Sequence, residues 1–149
     1  RRLGRICAGL GKPLPKNAIY YWSARGIPLA EQAHALKQKI AKDGIGLVIV
    51  DSGAPACGGR PEEAEVALAY FRTLASFGTT SLTICHIPKG GDPDKPLGSA
   101  FWHNEARLTW LIQRIQEDDT DEIDIGLVCK KGNDGRRPSP ISFHIRFDG

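Results

Sequence analysis

Two residues at the ends of apolar runs carry the chemistry most visible in this sequence. The run Gly46-Leu47-Val48-Ile49-Val50 ends in Asp51-Ser52, and the run from Thr79 to Cys85 ends in His86-Ile87-Pro88-Lys89. A carboxylate such as Asp51 can hold a magnesium ion through water, because Mg²⁺ prefers oxygen ligands and keeps most of its hydration. An imidazole beside it can donate to a phosphate or orient an attacking water. The same two groups can also work as an acid–base pair on another substrate. Plain structural roles are open to both: an Asp after a strand often caps a turn, and a lone His is often a satisfied framework residue.

For both side chains to act together, two strands must deliver them to one end of a sheet. The first run, Gly46 to Val50, does not alternate apolar and polar residues, the pattern of a strand covered on both faces, and Thr79 to Ile87 reads as the next buried strand. The connection between them contains Pro61-Glu62-Glu63, a helix start with Pro first and acids at the positive end of the dipole. Ala64, Leu68, Phe71 and Ala75 then line one face, and Gly78 caps the end. Upstream, Gly26-Ile27-Pro28 opens a helix in which Leu29, Ala33, Leu36 and Ile40 recur at helical spacing until Gly44 stops it. The opening dozen residues read as helical up to Gly11, residues 12–17 as a proline-bearing loop, Ala18 to Trp22 as a strand, and Gly53 to Arg60 as a loop.

The order strand, helix, strand, helix, strand predicts a parallel sheet with right-handed crossovers and helices on both faces. Ligands bind such sheets beyond the carboxyl ends of the strands, where Asp51 and His86 would lie. After Gly98 the pattern changes. Ser99 to Asn104 reads as a helical turn, and Ala106–Ile115, Ile123–Lys130 and Ile141–Phe147 as three consecutive strands. Asn133-Asp134-Gly135 is a tight-turn signal between the last two. The expected fold class is α/β: a mainly parallel sheet flanked by helices, with antiparallel strands at the C-terminal edge, in one domain over residues 1–149.

Bulk properties agree with one folded unit. The chain has 149 residues, 41% of them hydrophobic and 25% charged, ordinary values for a globular domain. A net charge of +3 is too small to argue nucleic-acid binding alone. It is unevenly placed: residues 1–44 carry nine Lys/Arg against Glu31 and Asp43, while residues 117–124 hold six acids, read as a solvated hairpin turn. Cys7, Cys57, Cys85 and Cys129 form no CxxC, so a zinc site is not expected. Cys85 and Cys129 fall inside apolar strand patterns and read as buried thiols of a reducing compartment. No stretch is apolar enough to cross a membrane, the opening residues lack the apolar core of a secretory leader, and a cytoplasmic location is expected. The absence of methionine leads to the expectation of a piece that begins inside a larger protein.

Two further segments extend the pattern. Gly98-Ser99-Ala100-Phe101-Trp102-His103-Asn104-Glu105-Ala106-Arg107 joins a loop to a strand through a small-residue turn and ends in an arginine. Cys129-Lys130-Lys131-Gly132-Asn133 ends another strand with paired lysines. In this order, from Arg1 to about Phe147, the chain resembles the C-terminal two-thirds of a RecA-like P-loop ATPase core, within that superfamily most nearly the group of the plasmid replicative helicase RepA. The resemblance implies ATP and Mg as cofactors. Asp51, followed by Ser52, would be the magnesium-side carboxylate, acting through water. His86 would be the polar switch residue, and Arg107 the arginine finger acting on nucleotide bound by a neighbouring subunit. Lys130, with Lys131 as the alternative, would be the basic residue reaching across the same interface. The resemblance also implies a homo-oligomeric ring or filament around single-stranded DNA, faced by the loops Gly53–Arg60 and Pro88–Gly98, with Lys89 and Lys95 as candidate contacts.

The sequence departs from that family in one respect. No GxxxxGK[ST] phosphate loop occurs in residues 1–149, and neither does the family's water-activating acid on the strand before it. Both are expected upstream of Arg1. Alone, such a piece is expected neither to hold ATP tightly nor to hydrolyse it, and to expose a sheet edge and apolar faces. Two other readings remain open: a non-catalytic DNA- or partner-binding module on the same fold, and an unrelated α/β enzyme with Asp51 and His86 in a small apolar pocket. Lys89 and Lys95 are offset by Asp92 and Asp94, and Trp102 and Trp110 read as core or interface residues.

Overall fold

A computed structural model describes residues 2–13, 19–24, 26–87, 90, 96–115 and 120–147. In chain order it contains α1 (Arg2–Gly9), a 3₁₀ turn (Leu29–Gln32), α2 (Ala33–Asp43), β1 (Leu47–Asp51), α3 (Gly53–Ala56), α4 (Ala64–Ser76), β2 (Thr80–Ile84), α5 (Phe101–Asn104), β3 (Leu108–Ile115), β4 (Glu122–Gly132) and β5 (Ile141–Arg146). β1 and β2 pair in parallel, from Leu47 opposite Thr80 to Asp51 opposite Ile84. β3, β4 and β5 form an antiparallel sheet in that order.

The mixed α/β class follows the sequence, and so do both parallel strands and the C-terminal meander. The arrangement differs in three ways. The strands form two separate sheets among the described residues, not one. Ile19–Trp22 is not a strand; its aromatics instead meet α2 and the turn before it. Lys39 sits over the Tyr20 ring at 4.6 Å, and the Trp22 indole N–H donates to Gln32 Oε1 at 2.6 Å. Residues 53–56, expected as loop, make the short helix α3.

The core lies between one face of the parallel pair and the helices. Leu29, Ile40, Ala67, Tyr70, Leu74, Phe77 and Trp102 are buried together, with Val48, Val50 and Cys85 packed against them. α2 ends as its sequence requires: Gly44 takes φ +62 and donates its N–H to the Ile40 carbonyl, a left-handed cap that glycine adopts without steric cost. α4 begins at Ala64 rather than Pro61, because the Pro61 carbonyl accepts from Ser99 N at 2.9 Å and from the Trp102 indole at 2.9 Å. Its buried stripe is Ala67, Tyr70 and Leu74, one position round from the stripe read in the sequence. Tyr70 can turn inward because its hydroxyl is paired with Thr83 Oγ1 at 2.8 Å, and a buried hydroxyl with a partner escapes the desolvation cost.

Trp102 is the joint of this core. Its ring lies 5.0 Å from Tyr70 and 5.7 Å from Phe71 between centroids. Gly98 has φ +121, and a Cβ there would lie 2.6 Å from both the Pro61 carbonyl oxygen and the indole. Only glycine lets the chain pass so close.

Among the described residues, no helix covers the other face of the parallel pair. Leu47, Ile49, Leu82 and Ile84 are exposed there, Ile49 at 58%, although parallel sheets are usually covered on both faces. This corrects the expectation of helices on both sides and agrees with that of exposed apolar surface. The antiparallel sheet is also two-faced. Ile123 opposes Ile145 and Ile125 opposes Phe143 on one side, while Glu122 opposes Arg146 and Asp124 opposes His144 on the other. Glu122 Oε1 accepts from Arg146 Nε at 2.8 Å, and Asp124 pairs with His144 Nδ1 at 2.9 Å. These two acids of the 117–124 run are therefore strand residues in cross-strand pairs, not parts of a solvated turn.

Candidate functional site

β1 and β2 end side by side because they pair in parallel in one continuous register, from Leu47 opposite Thr80 to Asp51 opposite Ile84. Asp51 is the last residue of β1 and stands opposite Ile84, the last of β2. His86 follows two residues later. Both polar residues thus leave the same edge of the parallel pair, as the two apolar runs predict, and both are exposed. The Asp51–Ser52 peptide is cis. Ser52 is buried at 9% exposure and occupies the position before α3 in extended conformation. The backbone of His86 is fixed as well: its carbonyl accepts from Leu97 N at 2.7 Å, so the chain between them leaves and returns at one point.

Among the described residues, no three His, Cys, Asp or Glu side chains gather as a metal site. A lone exposed carboxylate suits a magnesium ion that keeps its water and takes its remaining ligands from phosphate. Asp51 fits that role. The residues that would grip the phosphates themselves are not in the sequence. Lys89 and Lys95, the candidate nucleic-acid contacts, lie outside the described residues, as does most of the Pro88–Gly98 loop.

Arg107 sits just before β3, far exposed and already engaged. Its guanidinium donates to both carboxylate oxygens of Asp134, from Nε to Oδ2 at 3.2 Å and from Nη2 to Oδ1. The Arg107 carbonyl accepts from Asn133 N at 3.0 Å, which ties the 133–135 turn to the arginine's own backbone. The Asp134 carboxylate raises the arginine's pKa through this pairing. Sequence reasoning saw Asn133-Asp134-Gly135 only as a turn. Its acid, facing a lone arginine across a hairpin of strands, was the available signal.

The paired lysines part ways. Lys131 Nζ donates to the carbonyls of His103 at 3.1 Å and Asn104 at 2.7 Å, closing the C-terminal end of α5 within the same chain. Lys130 instead lines a groove of about 380 Å³ beside α5, together with Gly98, Ser99, His103 and Asn104. Among its described lining residues this groove does not include Asp51 or His86, so it is not the small apolar pocket expected of an unrelated α/β enzyme with those two residues as its acid–base pair. Ser99, His103 and Asn104 were not singled out as functional in the sequence.

Two other groups are shifted by burial. The Cys85 thiol, half-buried just beyond β2, is pushed up. Desolvation raises the Tyr70 phenol to about 12, with the Thr83 hydrogen bond opposing it. All four cysteines are free; Cys129 is buried as its strand pattern predicts, and Cys85 partly so. No helix among the described residues is long and apolar enough to cross a membrane. The chain matches no protein-family model and no curated protein sequence.

Proposed function

We propose that this chain carries the metal-side and subunit-interface elements of a RecA-like, Mg-ATP-driven motor or recombinase that acts on single-stranded DNA as a ring or filament. The observation that supports this most is the exit of Asp51 and His86 from adjacent parallel strands at one edge, the edge where open α/β sheets take their ligands.

Bound Mg-ATP would supply the phosphoryl group and the charge that develops as it is transferred. Asp51 holds the metal's water shell by accepting hydrogen bonds. His86 stands one step further along the same edge, at the root of the segment closed by Leu97. Arg107 lies just before β3, at the start of the other sheet, and serves a neighbouring subunit's nucleotide. To do so its guanidinium exchanges the Asp134 carboxylate for phosphate oxygens, the same bidentate geometry. A guanidinium delivered in this way is worth about 10³–10⁵ in rate, and it makes hydrolysis depend on assembly. The reading requires a phosphate-gripping loop that residues 1–149 do not contain.

The test is hydrolysis of ATP by the full natural chain that contains these residues, with and without single-stranded DNA. DNA-stimulated turnover is expected, falling at least 100-fold in Asp51→Asn and Arg107→Ala. No hydrolysis, or an unchanged Arg107→Ala variant, overturns the reading. A non-catalytic binding module on the same fold is the second reading. It is favoured by the pairing of Arg107 within its own chain, and it predicts DNA or partner binding without turnover.

A further inference from the structure

We propose that β5 is a docking edge for a second copy of this chain. Two β5 strands pair antiparallel about a two-fold axis at Phe143 and join two three-stranded sheets into one of six. β5 is the last strand of its sheet, and no strand follows it among the described residues. Phe147 N donates to the Asp121 carbonyl at 2.7 Å, one step beyond the Glu122–Arg146 pair. Hydrogen-bonded and non-bonded pairs alternate along an antiparallel ladder. Ile141, Phe143 and Ile145 therefore turn their N–H and C=O groups toward β4, while Ser142, His144 and Arg146 turn theirs to the open edge. Nothing in β5 blunts that edge, although sheets commonly protect one with lysine, proline or a bulge. β3, the opposite edge, has such a break, a register shift between Thr109 and Trp110. β5 pairs with β4 without a shift, contains neither lysine nor proline, and is exposed at every residue.

The strand is complementary to itself in charge and in polarity. With Phe143 opposite Phe143 of the second copy, Ile141 meets Ile145, Ser142 meets His144, and Arg146 meets Pro140. No like charges face each other, and each apolar residue of β5 faces an apolar one. Moving the axis one residue toward the C-terminus sets His144 against His144, and two residues sets Arg146 against His144. Moving it one residue the other way leaves Ile145 facing Ser139. At the Phe143 pair the outward hydrogen bonds lie on either side, the position where side chains come closest, and cross-strand aromatic pairs stabilise sheets. A single-strand contact is narrower than a standard interface, so the dimer is reversible. The contact is isologous, unlike the head-to-tail contact that an Arg107 finger needs, and it stands without the ATPase reading. The open face at Ile49 lies on the other sheet and is a separate surface.

Sedimentation and amide hydrogen exchange of the full chain test this together, and a monomer–dimer equilibrium is expected. As concentration rises through it, exchange at the Ser142, His144 and Arg146 amides should slow by about tenfold, while Ile141, Phe143 and Ile145, already bonded to β4, change little. Ser142→Pro removes one outward N–H without touching the β4 ladder and should sediment as a monomer, whereas Ser142→Ala sediments as the parent. Phe143→Lys sets two ammonium groups against each other and should weaken the dimer by about tenfold or more. Ile112→Lys lies on the same apolar face two strands away and should leave the dimer intact. The proposal is overturned if the parent is monomeric at every concentration, or if the three outward amides stay unprotected in the dimer. It is overturned equally if Ser142→Pro, folded by circular dichroism, sediments as the parent does. Equal losses in Phe143→Lys and Ile112→Lys would assign a face-to-face sandwich and also overturn the edge pairing. Should Ser142→Pro fail to fold, the exchange pattern of the parent decides.

Discussion

Replacing Trp102 by alanine should remove the joint at which α4, α5 and the backbone around Gly98 meet. The indole is 4% exposed and packs on Tyr70 and Phe71 at centroid distances of 5.0 and 5.7 Å. Truncating a buried tryptophan costs about 3–5 kcal/mol, the lost transfer energy plus the cavity left behind. The indole N–H bond to the Pro61 carbonyl adds about 1 kcal/mol. That carbonyl keeps Ser99 N as a donor, so the deletion leaves no buried acceptor orphaned, and the total is about 5 kcal/mol. For a chain of this length each kcal/mol moves the melting temperature by roughly 2–4 °C, which predicts a fall on the order of 10 °C. Urea unfolding followed by far-UV circular dichroism measures it without relying on fluorescence from Trp22 and Trp110. Trp102→Phe keeps a ring in the cluster and drops the N–H, so it should cost only about 1–2 kcal/mol. A Trp102→Ala cost under about 1 kcal/mol, or equal costs for the two variants, would refute the placement of Trp102 as the core's joint.

Three further outcomes follow from the same structure. Tyr70 keeps its proton to about pH 12 in the folded chain, while an unfolded tyrosine loses it near 10. Stability should be intact below pH 10 and then fall by about 1.4 kcal/mol per pH unit toward pH 12; denaturation midpoints of the parent and Tyr70→Phe across that range check it, and equal alkaline losses would contradict it. Asp134→Ala should leave the melting temperature within error, because its pair with Arg107 is far exposed, and under the proposed ATPase reading it should raise the hydrolysis rate at limiting subunit concentration by freeing the arginine; a rate that falls as it does in Arg107→Ala counts against that role. Ile49→Lys places a charge on the open face of the parallel pair and should reduce self-association in sedimentation velocity without unfolding the chain, whereas unchanged sedimentation would show that this face is not an association surface.

β1 was legible because its apolar run is short, uninterrupted and bounded by glycine and a polar residue, and β2 because β-branched residues dominate the segment after Gly78. The C-terminal end of α2 was legible for a local reason too, since Gly44 takes a backbone conformation that few other residues adopt, whereas its start was not: a 3₁₀ turn at Leu29–Gln32 precedes the α-helix that was expected to open at Pro28. The strand expected at 18–22 failed because aromatic and β-branched residues promise a partner surface without saying whether it is a strand or a helix. Here Tyr20 and Trp22 meet α2 and the preceding turn through Lys39 and Gln32. The stripe of α4 was misplaced by one position because Tyr70 ranks as half-polar in sequence, and only the Thr83 hydroxyl on β2 makes its burial favourable.

What the sequence determined alone is therefore most of the elements, all but the segments at 18–22 and 53–56, and the placing of Asp51 and His86 at strand ends. Those follow from local spacing, backbone preference and the period of apolar residues. The division into two sheets, the open face at Ile49, the pairing of Arg107 with Asp134, and the groove at Ser99 were decided by tertiary structure. Each depends on groups far apart in the chain, Arg107 and Asp134 by 27 positions and Pro61 and Trp102 by 41. Contacts between such groups are selected by the packing of the whole core, and no local pattern encodes them.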